Sequence, residues 1–113
     1  MSLFDFLSME GTYEARKLAR YESENLIIST ARNTDAEKLF ETGVSHEAYK
    51  NGRWIVVEEY DTEIEAKLGH EKWVKKMTSK KLPKTLKDIT TSEAGLFSFR
   101  NEEDRIFIKK EGE

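Results

Sequence analysis

Residues 40–60 read FETGVSHEAYKNGRWIVVEEY, two β-prone runs on either side of an Asn51-Gly52 pair. Val, Ile, Tyr and Trp favour extended backbone because branched and aromatic side chains pack well on a pleated surface. A type I′ turn needs positive φ at both central residues, which Asn tolerates and Gly adopts freely. The pair therefore predicts a hairpin with a two-residue loop. Such a loop sets the register, so that Tyr49 faces Trp54, Ala48 faces Ile55, His46 faces Val57 and Val44 faces Glu59. Val44, His46, Ala48, Ile55 and Val57 then share the more apolar face, and Ser45, Glu47, Tyr49, Trp54, Val56, Glu58 and Tyr60 share the other.

Directly downstream, DTEIEAKLGHEKWVKKMTS (61–79) changes to a helical period. Thr62 and Glu65 have the spacing of a capping box, with acids in the first turn and lysines in the last to complement the helix dipole. Ala66, Gly69, His70, Trp73 and Met77 share one stripe, with Val74 at its edge, and this stripe is expected to pack on the sheet. Ile64 and Leu68 fall roughly opposite it, two apolar side chains left facing away from the core. Leu82-Pro83 closes the helical region.

Upstream, TYEARKLAR (12–20) alternates and LIISTAR (26–32) is β-branched, and the polar turn ESEN (22–25) joins them into a first hairpin. SLFDFLSM (2–9) fits a short helix or docking arm with Ser2 as N-cap. It is too short for a membrane span and carries Asp5, so neither a transmembrane helix nor a signal peptide is expected. Beyond a polar linker, LFSFR (96–100) and RIFIK (105–109) flank NEED (101–104). They predict a terminal hairpin extension over 92–113, with Phe97 and Phe99 on the face of Ile106 and Ile108. The expected architecture is a single α+β domain over 1–113. Its antiparallel sheet is built from hairpins, and one main amphipathic helix at about 62–78 packs on one face.

A chain of 113 residues holds one core. Its 37% hydrophobic and 11% aromatic residues, spread along the whole length, supply that core despite 36% charge. With no cysteine, disulfides, thiolate catalysis and zinc fingers are excluded. The net charge of -3 gives no global attraction to nucleic acid, but the charge is polarised. Eight lysines and Glu71 alone among acids occupy Lys67–Lys87, after an acidic stretch of Glu58, Glu59, Asp61, Glu63 and Glu65.

His46 and His70 both fall on inner faces, and meeting near Glu59 they would make a facial metal site. No compact HExxH spacing supports that, so the three are read as polar core residues, with no metal and no cofactor. Catalysis has no specific pattern behind it: no GxSxG elbow places a serine, and the six glycines are too scattered for a phosphate-cradling loop. The protein is therefore read as not an enzyme. The lysine run could meet phosphates, yet Trp73, the aromatic among those lysines, lies on the inner stripe and not where bases could stack. Tyr49, Trp54 and Tyr60 need cover from the chain's own ends or from a partner, since Tyr and Trp favour interfaces.

Four segments together, SLFDFL, ETGVSH, NGRWIVVEEYDT and EAKLGHEKWV, resemble a family of small uncharacterised phage and prophage proteins. The resemblance spans roughly residues 1–90, is most specific in the middle third and ends near Ser92. It implies a viral or prophage origin, with the host cytoplasm or the virion as location, and no established activity.

Three functional expectations follow. The first is a non-catalytic interaction protein in a homo-oligomer or a host or virion complex, using Tyr49, Trp54, Tyr60, Ile64 and Leu68. The second is capture of a small anionic, nucleotide-like molecule between subunits, as an anti-defence protein would do, by Arg53 beside Trp54 and by Lys75 and Lys76. The third is a nucleic-acid accessory protein acting through Lys67–Lys87. No membrane partner is expected.

Overall fold

The β-branched run LIISTAR forms an inner strand of the main sheet. A computed structural model describes residues 16–92 and 99–111. Strands β1 (Lys17–Ser23), β2 (Leu26–Arg32), β3 (Phe40–His46) and β4 (Ile55–Tyr60) form one antiparallel sheet in that order. Ser23 pairs with Leu26, so Glu24 and Asn25 make the tight first turn within ESEN. β2 and β3 run in unbroken register from Leu26↔His46 to Arg32↔Phe40.

Helix α1 (Glu63–Met77) crosses one face of this sheet. Its start is the expected capping box: the Glu65 backbone N–H donates to Thr62 Oγ1 at 3.2 Å, and the Thr62 N–H donates to Glu65 Oε1 at 3.2 Å. Its end is tied at Thr78, whose hydroxyl donates back to the Val74 carbonyl at 2.6 Å. Ala66, Gly69, His70 and Met77 are buried, as the helical period requires. Met77 joins Leu26, Ile28, Val44, Ile55 and Val57 in the main core. Each such side chain contributes about 1.5–3 kcal/mol by leaving water.

The second hairpin departs from the two-residue loop. Phe40↔Tyr60, Glu41↔Glu59 and Thr42↔Glu58 pair first, and then Gly43↔Val56 and Val44↔Ile55, so Val57 is an extra residue on β4, a bulge. Val44 therefore faces Ile55 and not Glu59. Asn51 and Gly52 do take positive φ, 55° and 80°, but Lys50 joins them at 51°, in a 3-10 turn within a wider connection. The reason is Tyr49. It is fully buried in the helix-side core, and its hydroxyl donates to the Pro83 carbonyl. A two-residue loop would hold that side chain on the opposite face. Trp54 does lie there, against Ala31, Val56 and Ile89. The expected Tyr49–Trp54 pair is thus separated by the sheet.

The C-terminal pairing also differs. β6 (Ile106–Ile108) pairs with β5 (Thr85–Lys87), a segment read as linker; residues 93–98, which include most of the LFSFR run expected to pair with it, lie outside the described residues. NEED forms a 3-10 turn capped by Asn101, whose Oδ1 accepts from the Asp104 N–H at 3.1 Å. Phe99 packs 6.4 Å from Phe107, while Ile106 and Ile108 stay exposed. Leu86 sits opposite Phe107 and enters the main core, which explains the choice of partner. Phe97, the 2–9 helix and the first residues of the first hairpin lie outside the described residues.

Residues 88–92 follow β5 as a strap along β4. The Ile89 N–H donates to the Val56 carbonyl at 2.8 Å, and Thr91 donates to Glu59 through its N–H at 2.9 Å and its hydroxyl at 2.8 Å. Ile89 packs on Val56 and Ala31, so the face of the sheet away from α1 has its own cover.

Candidate functional site

Helix α1 turns Ile64 and Leu68 outward, with 74% and 68% of their surface exposed, as the helical spacing required. Leu68 forms one wall of a cleft of about 380 Å³ between the first half of α1 and the end of β4. Glu58, Glu59, Asp61 and Glu65 line it, with Lys38 and Lys72. Tyr60 lies behind Gly69 so closely that a Cβ at position 69 would come within 2.2 Å of the Tyr60 hydroxyl. Helix and strand can approach this far because position 69 carries no side chain.

Behind the cleft a chain of hydrogen bonds locks α1 to the sheet. Glu58 Oε1 accepts from Lys72 Nζ at 2.6 Å, Trp73 Nε1 at 2.8 Å and the Tyr60 hydroxyl at 3.4 Å. Tyr60 and Thr42 hydroxyls are 2.9 Å apart, those of Thr42 and Thr30 2.6 Å, and Thr30 meets His70 Nδ1 at 2.8 Å. Burial opposes ionisation of Glu58, but the Lys72 and Trp73 donors outweigh it and hold the carboxyl below its ordinary value. Burial pushes the Tyr60 phenol up and the His70 imidazole down, so both stay neutral at neutral pH. Each member of this chain is already bonded to another, which suits it to fixing the helix.

The other expected polar residues do not converge. His46, with its pKa lowered by burial, accepts the Ala48 N–H at 2.9 Å at the turn end of β3. His70 lies against Thr30 under α1. Glu59 is on the opposite face, held by Thr91. Among the described residues no three His, Cys, Asp or Glu side chains are grouped to hold a metal ion.

Of the residues expected at a binding surface, Tyr49 and Tyr60 are core and Trp54 is half-buried. Arg53 is exposed next to Trp54 in the chain, Trp54 lies on the face of the sheet away from α1, and exposed Lys75 and Lys76 are on α1, with Lys76 4.7 Å over the Trp73 ring. A single chain therefore does not bring Trp54 to the lysine pair. Part of the basic run is neutralised locally, by Lys67–Glu63 at 3.1 Å, Lys72–Glu58 and Lys87–Glu102 at 2.9 Å. Among the described residues no helix is long and apolar enough to cross a membrane.

Sequence reasoning missed a buried acid on the strap side. Glu41 is 1% exposed, accepts from Asn33 Nδ2 through Oε1, and leaves Oε2 without a hydrogen-bond partner. Burial, with Glu59, Asp88 and Asp35 nearby, pushes its carboxyl up to about 8 despite the Asn33 bond. In FETGVSH it shares the polar parity of Gly43 and Ser45, so no local signal marks it as buried.

No family model, no curated protein and no solved structure matches this chain.

Proposed function

We propose that the protein is a non-catalytic interaction protein that meets its partner through the outer face of α1. The exposure of Ile64 and Leu68, one turn apart on a pinned helix, carries this reading. The capping box, the Gly69–Tyr60 contact and the His70–Thr30 bond hold the helix in place, so docking on it orders little that is not ordered already. A rigid helix presenting i and i+4 apolar side chains is the usual donor in helix-mediated recognition. Tyr49 and Tyr60 are spent in the core and Trp54 is half-buried, so of the apolar residues expected at an interface Ile64 and Leu68 are the exposed ones.

The resemblance to phage proteins extends the reading to a host or virion protein, or to the chain itself, as that partner. The test is the size of the complex formed by the tagged chain in native extract of the producing cells. Wild type should migrate above the mass of one chain, and an Ile64→Ser/Leu68→Ser variant with an unchanged circular dichroism spectrum should fall back to it. A wild type already at the mass of one chain would refute the reading.

A further inference from the structure

The outer face of α1 carries opposite charge at its two ends. Asp61, Glu63 and Glu65 lie at the N-terminal end, and Lys72, Lys75 and Lys76 in the C-terminal half, with exposed Ile64 and Leu68 between. Lys75 is seven residues from Leu68, about 10 Å along the axis at 1.5 Å per residue, and Asp61 directly precedes the N-cap Thr62 at the other end of the helix. A copy of the helix turned end for end about Leu68 sets its Lys75 over Asp61 and its Lys72 stem over Ile64, and symmetry repeats both contacts. A parallel copy would set acid on acid and lysine on lysine.

Lys75 makes no ion pair among the described residues, and Asp61 has only Lys38, at 4.0 Å. The cleft beside Leu68 has four carboxylates and two lysines, net -2, a charge that lysines of a second copy would offset. The surface is thus complementary to itself, in one orientation.

Resting on the reading above, we propose that a second copy of this chain covers this face. The two α1 helices lie antiparallel about a two-fold axis at Leu68, an isologous interface with an apolar centre and paired charges at both ends.

Sedimentation of the purified chain across micromolar concentrations should show a species of twice the chain mass that weakens as salt rises. Leu68→Glu, an exposed position whose change leaves the fold intact, should remove it. Orientation is read by single cysteines, since the chain has none of its own. Under oxidation a mixture of Asp61→Cys and Lys75→Cys chains should cross-link into the mixed dimer. Neither variant alone should, because like positions fall at opposite ends of the pair, the two Lys75 positions about 20 Å apart and beyond disulfide reach. A purified chain that stays monomeric, or cross-linking in the Lys75→Cys sample alone, overturns the pairing. If the purified chain is monomeric while extract still yields a Leu68-dependent complex, self-pairing fails and the broader reading stands.

Discussion

Glu41 has 1% of its surface exposed and one carboxylate oxygen without a partner, in the field of Glu59, Asp88 and Asp35. Its native carboxyl keeps its proton up to about pH 8, whereas the ordinary value is 4.5. Between those values folding takes up a proton, so stability falls as pH rises through the window and reaches its floor above it. His46 and His70 act in the opposite sense. Burial lowers both below 6.5, so below that pH the unfolded chain binds protons that the native one resists, and stability rises towards it. The comparison with Glu41→Gln isolates the acid, since the amide is neutral throughout. Urea unfolding should show wild type losing on the order of a few kcal/mol to the variant between acidic and alkaline pH. A constant difference would mean that Glu41 titrates alike in the native and unfolded chains. Gly69 is the other residue with a sharp expectation. Alanine there gains about 1 kcal/mol of helix propensity, but it drives a methyl group into the Tyr60 ring, an overlap costing about 1–3 kcal/mol. Thermal unfolding should place Gly69→Ala below wild type, and a higher midpoint would mean that Tyr60 moves aside freely. The exposure of Ile64 and Leu68 was legible in the sequence because helical spacing is local. The burial of Glu41 and Tyr49 was not, because Asp88, whose charge bears on Glu41, and Pro83, which accepts from Tyr49, are 47 and 34 residues away in the chain.

Among the elements, α1 was readable from both ends inward, since its cap, its stripe and its closing residues are all written within one stretch. The β3–β4 hairpin was readable as a hairpin and misread in register. A bulge at Val57 adds a residue with no sequence mark, and the burial of Tyr49 widened the turn that Asn51-Gly52 centres. The strap was missed for a different reason. Leu86, Asp88, Thr90 and Ser92 are buried at alternate positions, a strand-like period carried mostly by polar side chains, so hydrophobic patterning is blind to it. These polar groups are satisfied locally: the Thr90 N–H donates to the Asp88 carboxyl at 3.0 Å, and Thr90 and Ser92 hydroxyls are 2.9 Å apart. Thr91 is the strap's fastening point, because its hydroxyl donates to Glu59 and also accepts the Glu37 N–H at 2.8 Å. Thr91→Val deletes both bonds at nearly constant shape. The loss should be on the order of 1–3 kcal/mol, a hydrogen bond to a charged group being the larger part. Amide exchange should localise it, with the Ile89 N–H accelerated more than those of β2. Equal acceleration everywhere would mean that the strap has no independent opening.

Across the whole molecule, two covers close one sheet, α1 on one face and the strap on the other, and each has a tryptophan beside it. Trp73 sits under α1 with its Nε1 on Glu58, and Trp54 lies with Val56 and Ile89 on the strap side. Both covers lean on β4. Glu58 is bonded to α1, Glu59 to Thr91, and the Val56 carbonyl to Ile89, so three residues within one strand serve opposite faces. Leu86, just before the strap, is inserted in the same core as Met77 of α1. Neither cover can leave without uncovering apolar surface that the other also needs, and the expected behaviour is one cooperative transition. Trp54→Phe leaves a reporter for the helix side and Trp73→Phe one for the strap side. Each substitution changes stability by its own amount, so each fluorescence midpoint is compared with the circular dichroism midpoint of the same variant. Coincidence in both variants is the expected result. A Trp54 signal that moves at lower urea than its own backbone transition would separate the strap from the body of the fold. It would also place Glu41, which this cover helps keep from water, in the part of the molecule that opens first.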